Sequence, residues 1–256
     1  MFDEEFSQGD SYLHAIDPRI KILASIIYSF GTALLQNLPA ACCALLFSLL
    51  LLICSGLPFK KVFYRLLLIN SFIIFLWLFL PFSTPGDTLF SILSLTATMQ
   101  GILKCALITI KANAIFIGMI TIVATSSVPT LGKALYDLKV PPKLTFLILI
   151  SYRYLQVIYD EYLKLSRTIE IRGFVPSTNL HTYKTFGYLL AMVLIKSYDR
   201  AQRVYQAMLL RGFSGKFYSL HEFVLLKKDI RFLIYIFLFA LSLAGIDVFG
   251  TDIDLT

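Results

Sequence analysis

The sequence predicts an all-α polytopic membrane protein with about five transmembrane helices and a domain of two long, crossing cytoplasmic helices. Hydrophobic residues make up 57% of the 256 residues and charged residues only 15%, whereas soluble domains contain about 45–50% and about 25%. Several apolar runs approach the length of about 20 residues that crosses a bilayer. A basic segment before the last run shows the periodicity of amphipathic helices instead.

The apolar runs define the predicted spans and the division of the chain. The spans are Ile20–Gln36, Pro39–Ser55, Leu66–Pro81, Gly101–Thr125 and Phe232–Phe249. We therefore expect four membrane helices in residues 1–127, a cytoplasmic or membrane-surface domain in residues 128–230, and a last span with an outside tail in residues 231–256. The N-terminus is acidic and polar, so we expect no removable signal peptide.

The distribution of basic residues predicts the orientation in the membrane. Lys60, Lys61 and Arg65 join the second and third predicted spans, and the segment from Lys133 to Arg231 carries 16 Lys and Arg against 7 Asp and Glu. The positive-inside rule then places the N-terminus inside and the C-terminus outside. The basic surplus suits anionic lipid headgroups or an acidic partner protein. A nucleic acid is not an expected partner of a polytopic protein.

Two long helices are predicted in the basic segment. The first runs from Lys143 to Arg172 after a Pro-Pro pair, which suits a helix start. The second runs from Thr178 or Asn179, either of which suits an N-cap, to Arg211. A glycine follows each helix, and glycine accepts the left-handed conformation that ends helices.

The two helices end in copies of one phrase, "YDEYLKLSRTIEIRGF" and "YDRAQRVYQAMLLRGF", which start 39 residues apart. Each copy has an apolar stripe at helical spacing. The first stripe is bulky and includes Tyr162 and Leu165, whereas the second starts small and includes Ala201 and Val204. Because small residues let helices approach closely, we expect the helices to cross near Tyr162 and Ala201. On the opposite face of each helix, an acidic residue is followed four positions later by a basic residue.

Each copy closes with Arg-Gly-Phe, for which two interpretations stay open. The first is a stable helix stop, with glycine as the cap and arginine matching the helix dipole. The second, which we prefer, is a pair of basic tips that bind two similar sockets, because Arg beside Phe is a good interface anchor and the guanidinium fork fits a carboxylate. The residues concerned are Arg172, Gly173, Phe174, Arg211, Gly212 and Phe213.

Three phrases resemble those of the transmembrane (T) component of energy-coupling factor transporters. "LHAIDPRIK" (Leu13–Lys21) is similar to the family's N-terminal phrase, and "AMLLRGFSG" (Ala207–Gly215) resembles its second Arg-Gly signature in the cobalt/nickel, CbiQ-like form. "IEIRGF" matches the first signature, although Ile171 stands where the family often has Ala. The resemblance implies that two coupling helices dock on a pair of cytoplasmic ABC ATPases and that the chain also holds a substrate-binding membrane subunit.

The resemblance also implies a function. The chain would be a non-catalytic scaffold and coupling subunit of an ATP-driven importer in a bacterial or archaeal cytoplasmic membrane, for cobalt or nickel or, alternatively, for a vitamin such as biotin. It would bind no cofactor itself, because ATP and Mg²⁺ belong to the ATPases and the metal to another subunit. In agreement, the sequence has no Walker-type phosphate loop.

Two other function classes fit the sequence less well. A membrane enzyme would need clustered His, Glu or Asp within the spans, which the spans lack. A self-contained secondary transporter often has inverted repeats, whereas the repeat here lies in the cytoplasmic segment. The four cysteines are expected in the core and the three histidines are scattered, so we expect no catalytic and no metal site. Lys104 can snorkel, whereas Lys111 lies deeper and is expected to pair with Asn113 or with an acid on another helix.

Overall fold

The computed structural model describes residues 6, 9, 11–84, 88–92, 95–213 and 225–251, which form eight α-helices and one short β-hairpin. The predicted all-α membrane fold class is confirmed. The hairpin, which the sequence did not predict, is antiparallel and pairs Ile92 with Leu95. The elements are α1 Pro18–Leu34, α2 Leu38–Ser55, α3 Phe59–Ser83, β1 Thr88–Ile92, β2 Leu95–Thr98, α4 Met99–Val123, α5 Val128–Asp137, α6 Pro142–Ile171, α7 Leu180–Leu210 and α8 Lys227–Thr251.

The chain divides into two compact units. One unit contains α6 and α7, and the other contains α1 to α4 together with α8. The division falls between Ala134 and Leu135, within α5 and slightly later than the predicted boundary after residue 127. We call the first the helical-pair unit and the second the membrane unit.

Helix α4 is the centre of the membrane unit, since α1, α2 and α3 all pack against it, and α8 packs on α1 and α2. Tyr28 of α1 is fully buried and donates a hydrogen bond to the Ala44 carbonyl of α2 at 2.9 Å. Its ring lies so close to Gly118 of α4 that a Cβ there would stand 2.4 Å from Tyr28 Cε1. A glycine is therefore required where α1 and α4 meet.

The N-terminal phrase Leu13–Lys21 fastens the start of α1. Asp17 caps α1, and its backbone N–H donates to the Asp229 carboxylate of α8 at 3.3 Å. Lys21 is buried and its Nζ donates to Ser126 Oγ, just after α4, at 2.8 Å. A buried ammonium without such partners would be costly. The phrase thus ties three helices together at one end of the membrane unit.

In the part of the chain that the structure describes, four helices, α2, α3, α4 and α8, are long and apolar enough to cross a membrane. Helix α1 has 17 residues, at the short end of the range that spans a bilayer, and it packs against two of those four. One predicted boundary was wrong. Lys60, Lys61 and Arg65 lie in the first turns of α3, and the preceding turn is formed at Gly56, whose φ of 66° is left-handed.

Polar side chains inside the membrane unit bond across helices. Asn70 of α3 and Asn113 of α4 form reciprocal amide hydrogen bonds of 3.1 and 3.0 Å. Lys111 therefore does not use Asn113. It donates instead to the Ala33 carbonyl near the end of α1 at 3.0 Å, and the carboxylate of Asp247 lies near enough to interact with it electrostatically. Such interhelical bonds contribute roughly 0.6–2 kcal/mol in membranes.

The orientation remains a prediction that cysteine labelling can test. In a variant without the four native cysteines, Lys60→Cys should react with an impermeant maleimide only from the cytoplasmic side. Asp252→Cys, which lies outside the described residues, should react only from the outside. The reason is that basic residues stay inside. Labelling of both positions from the same side would contradict the predicted five-span topology.

Candidate functional site

The two predicted long helices are confirmed almost residue for residue as α6 and α7, and Asn179 is the N-cap residue of α7. They run in opposite directions. The first half of α6 lines a groove with the second half of α7, and the second half of α6 lines another groove with the first half of α7. Each Arg-Gly-Phe end therefore lies beside the start of the opposite helix.

An ion pair joins the two helices between these grooves. Lys196 Nζ donates to Glu161 Oε1 at 2.5 Å, and Arg200 Nη2 lies 3.6 Å from Glu161 Oε2. Glu161 and Arg200 occupy matched positions of the two sequence copies. The hydrogen bond from Lys196 lowers the pKa of the Glu161 carboxyl below its usual value. The sequence reasoning considered only pairs within one helix and so missed this contact between helices.

Three of the four predicted crossing residues line the two grooves. The larger groove, of about 460 Å³, includes Ala201 and Val204, which face Ile158 across it. Leu165 lines the smaller groove, of about 280 Å³. Tyr162 is half-buried. The close approach of Tyr162 to Ala201 stays a prediction.

The first Arg-Gly-Phe end is a complete Schellman cap. Gly173 has a φ of 82°, and its N–H donates to the Glu170 carbonyl at 3.0 Å. The Phe174 N–H donates to the Ile169 carbonyl at 3.2 Å. These two bonds satisfy carbonyls that a helix end otherwise leaves unpaired.

The second end repeats this geometry. Gly212 has a φ of 79°, its N–H donates to the Leu209 carbonyl at 2.9 Å, and the Phe213 N–H donates to the Met208 carbonyl at 3.0 Å. A Cβ at either capping glycine would meet nothing within 4 Å. The need for glycine is therefore conformational and not steric, since a left-handed residue with a side chain costs about 1–2 kcal/mol.

The two phenylalanines turn inward and fasten each tip to the opposite helix. The ring centroid of Phe174 lies 6.0 Å from that of Phe186 in α7, in an edge-on arrangement. The ring centroid of Phe213 lies 6.0 Å from that of Phe146 in α6. Both phenylalanines are half-buried. Each tip is thus held by its cap and by an aromatic contact.

The outward chemistry of each tip consists of an arginine and an aliphatic side chain. Arg172 and Arg211 are exposed. Directly before them, Ile171 is 86% exposed and Leu210 is 90% exposed. Ile171 follows the last apolar stripe residue Ile169 by two positions, and Leu210 likewise follows Met208. Two positions in a helix correspond to a rotation of about 200°, so both side chains point away from the stripe. The sequence reasoning missed these residues, although their distance from the stripe could have identified them.

The described residues show no group of three or more His, Cys, Asp or Glu that could hold a metal ion. The four cysteines are free. The expectation that all of them lie in the core was wrong, since Cys105 is buried but Cys43 and Cys54 are exposed. His14 Nε2 donates to the Phe6 carbonyl at 2.9 Å, and His14 Nδ1 lies 2.7 Å from Ser11 Oγ. His221 and Gly215 lie outside the residues that the structure describes.

Comparison with known proteins identifies the family. The profile of the family described as cobalt transport protein, CbiQ, matches residues 9–221. The chain belongs to the CbiQ family. Its matched region includes both Arg-Gly-Phe ends and the N-terminal phrase that fastens α1.

Several relatives of this CbiQ-family chain are known. An uncharacterized protein of Methanocaldococcus jannaschii is 25% identical over 92% of the chain and 82% of its own length. The energy-coupling factor transporter transmembrane protein EcfT of Streptococcus equi is 28% identical over 81% of each chain, and that of Clostridium kluyveri is 25% identical over 82% of this chain and 83% of its own. The predicted resemblance to the transmembrane components of energy-coupling factor transporters is confirmed.

The ion pair between α6 and α7 predicts a pH-dependent contribution to stability. Because the pKa of Glu161 is lowered on folding, its contribution is complete above the unfolded-state pKa of about 4.3 and disappears as pH falls through the folded-state value. Glu161→Gln should therefore lower the Tm slightly at pH 7, and the Tm difference should be smaller at pH 3. The effect should shrink in high salt, because the pair is partly exposed.

A matched control for this prediction is Glu170→Gln, since Glu170 is exposed at the end of the same helix. It should leave the Tm unchanged at both pH values. If Glu161→Gln lowered the Tm by the same amount at pH 7 and pH 3, the charge of the Glu161 carboxylate would not stabilise the contact between α6 and α7.

Proposed function

We propose that this protein is the transmembrane scaffold and coupling subunit of an ATP-driven importer. In this proposal α6 and α7 transmit movements of two cytoplasmic ABC ATPases to a substrate-binding membrane subunit. The observation that carries the proposal is the pair of matching, capped helix ends with exposed arginines at positions 172 and 211. The chain acts without catalysing a reaction of its own.

The geometry of the tips supports two separate binding sites. Each tip lies eleven to fifteen residues beyond the ion pair of Glu161 with Lys196 and Arg200, which corresponds to about 16–22 Å of helix. The first tip contacts Phe186 of α7 through Phe174, and Phe186 lies 27 residues before Phe213, so the two tips are about 40 Å apart along α7. One small socket could not bind both. Two copies of a socket, on two similar subunits, would match two copies of a tip.

The chemistry of the tips supports an acidic socket. A guanidinium forms two parallel hydrogen bonds with a carboxylate, and such a fork is directional as well as charged. The Schellman caps and the inward phenylalanines fix the direction of each helix end. A partner would therefore meet a preorganised arginine, which reduces the entropy lost on binding.

We propose that ATP and Mg²⁺ are bound by the ATPase subunits and that no cofactor is bound by this chain. The transported substrate is proposed to be cobalt or nickel, because the matching family is described as cobalt transport protein. A vitamin is the alternative, since relatives carry the general name of energy-coupling factor transporter protein. Recognition of the substrate would belong to the substrate-binding membrane subunit. The membrane is the cytoplasmic membrane of a bacterium or archaeon.

The arginines can be tested in the complete complex. The double variant Arg172→Ala with Arg211→Ala should no longer copurify its ATPases and should lose uptake, while remaining inserted in the membrane. Removing one partner of a buried charged hydrogen bond costs roughly 2–5 kcal/mol, which is at least about 30-fold in affinity for each tip. Replacement by lysine should restore little, because lysine lacks the fork.

The matched control uses two other exposed basic residues, Lys164 and Arg203, which are also 39 residues apart in the two copies. Their double replacement by alanine removes the same charge but leaves the tips intact, and should keep the ATPases bound. If the Arg172/Arg211 variant retains ATPases and transports at the normal rate, the Arg-Gly ends are helix stops only.

A further inference from the structure

The two tips expose an apolar side chain as well as a charge. Ile171 and Leu210 are the two most exposed large hydrophobic residues among those that the structure describes. They occupy matched positions, 39 residues apart, directly before the two arginines. Exposing a branched aliphatic side chain is unfavourable in water, because its apolar surface remains hydrated. The same exposure at both ends indicates a surface that another molecule covers.

We propose that Ile171 and Leu210 are aliphatic anchors, each filling an apolar pocket that lies beside the carboxylate bound by the neighbouring arginine. The inference rests on the proposed function, since the pockets would be on the two ATPase subunits. It assigns to the binding site two residues outside the Arg-Gly-Phe motif. It also defines the chemistry of each socket as an apolar pocket with an acidic rim.

The two copies differ where the helices cross. Matched positions there carry Glu161 and Arg200, or Tyr162 and Ala201, so the copies differ in charge and size at the crossing. The position before the arginine nevertheless carries a large branched aliphatic residue in both copies. The phenylalanines cannot serve as the outward anchors, because Phe174 and Phe213 pack against the opposite helix.

A protein socket fits these tips better than a lipid surface. Adjacent residues in a helix point about 100° apart, and the two capping hydrogen bonds at each end hold that relation fixed. A fixed pair of apolar and cationic groups matches a pocket with defined walls, as in interface hot spots. A fluid bilayer surface requires no such fixed geometry.

The test is copurification of the ATPases with the full complex, carried out with Ile171→Ser and Leu210→Ser together. Both side chains are exposed, so the variant should fold with an unchanged Tm. Losing the burial of one such side chain should weaken binding about tenfold to hundredfold at each tip. The exchange Ile171→Leu with Leu210→Ile keeps the apolar volume and should retain the ATPases.

The matched control is Leu194→Ser with Ile195→Ser, which removes two exposed aliphatic side chains from the middle of α7, away from both tips. This control should keep the ATPases bound. If the Ile171/Leu210 serine variant copurifies the ATPases normally, the inference is wrong, and these side chains contact lipid or solvent instead.

Comparison with the Arg172/Arg211 alanine variant separates the two claims. If the arginine variant loses its ATPases and the serine variant keeps them, the proposed function stands and the anchors are wrong. If both variants keep their ATPases, the proposed function fails and the anchors fail with it. If both lose them, each socket binds an aliphatic and a cationic group.

Discussion

The surface that this chain offers to a partner depends on the left-handed backbone at Gly173 and Gly212. That conformation stops each helix and lets two N–H groups pair with the last carbonyls. The residue after the glycine is thereby directed back toward the helix, so its phenylalanine packs inward against the opposite helix. What remains outside is the arginine and the aliphatic residue before it. One backbone constraint thus gives each tip a side that packs on the opposite helix and an exposed side, which is the side proposed to bind a partner.

The two copies share their ends and differ at their crossing. Opposite charges at the matched positions Glu161 and Arg200, together with Lys196, attract the helices to each other. Identical residues there would repel, because like charges in contact are unfavourable. An antiparallel pair of duplicated helices therefore needs divergence in the middle and similarity at the tips. This arrangement suits a pair of helices that is held together at the crossing and has a similar binding tip at each end.

The sequence predicted the helices well and their contacts poorly. Apolar length, proline starts and glycine stops are local signals, and they located α6, α7 and the two tips. The pairing of Glu161 with Lys196 is set by the register between helices, which no local pattern encodes. The same reason explains why the sequence left two partners open for Lys111, namely Asn113 or an acid on another helix. In the structure Lys111 donates to the Ala33 carbonyl and interacts with the acid Asp247 of α8. The exposure of Ile171 and Leu210 follows from the cap and could have been deduced from their position off the stripe.

Site-specific photo-crosslinking in the assembled complex tests the central claim most directly. A photoreactive amino acid at position 171 or 210 should form an adduct with an ATPase subunit, and a chain carrying it at both positions should capture two ATPases. The same group at position 194, in the middle of α7, should capture none. Adducts of positions 171 and 210 with lipid alone, or with no subunit, would contradict the account of two tips in two sockets.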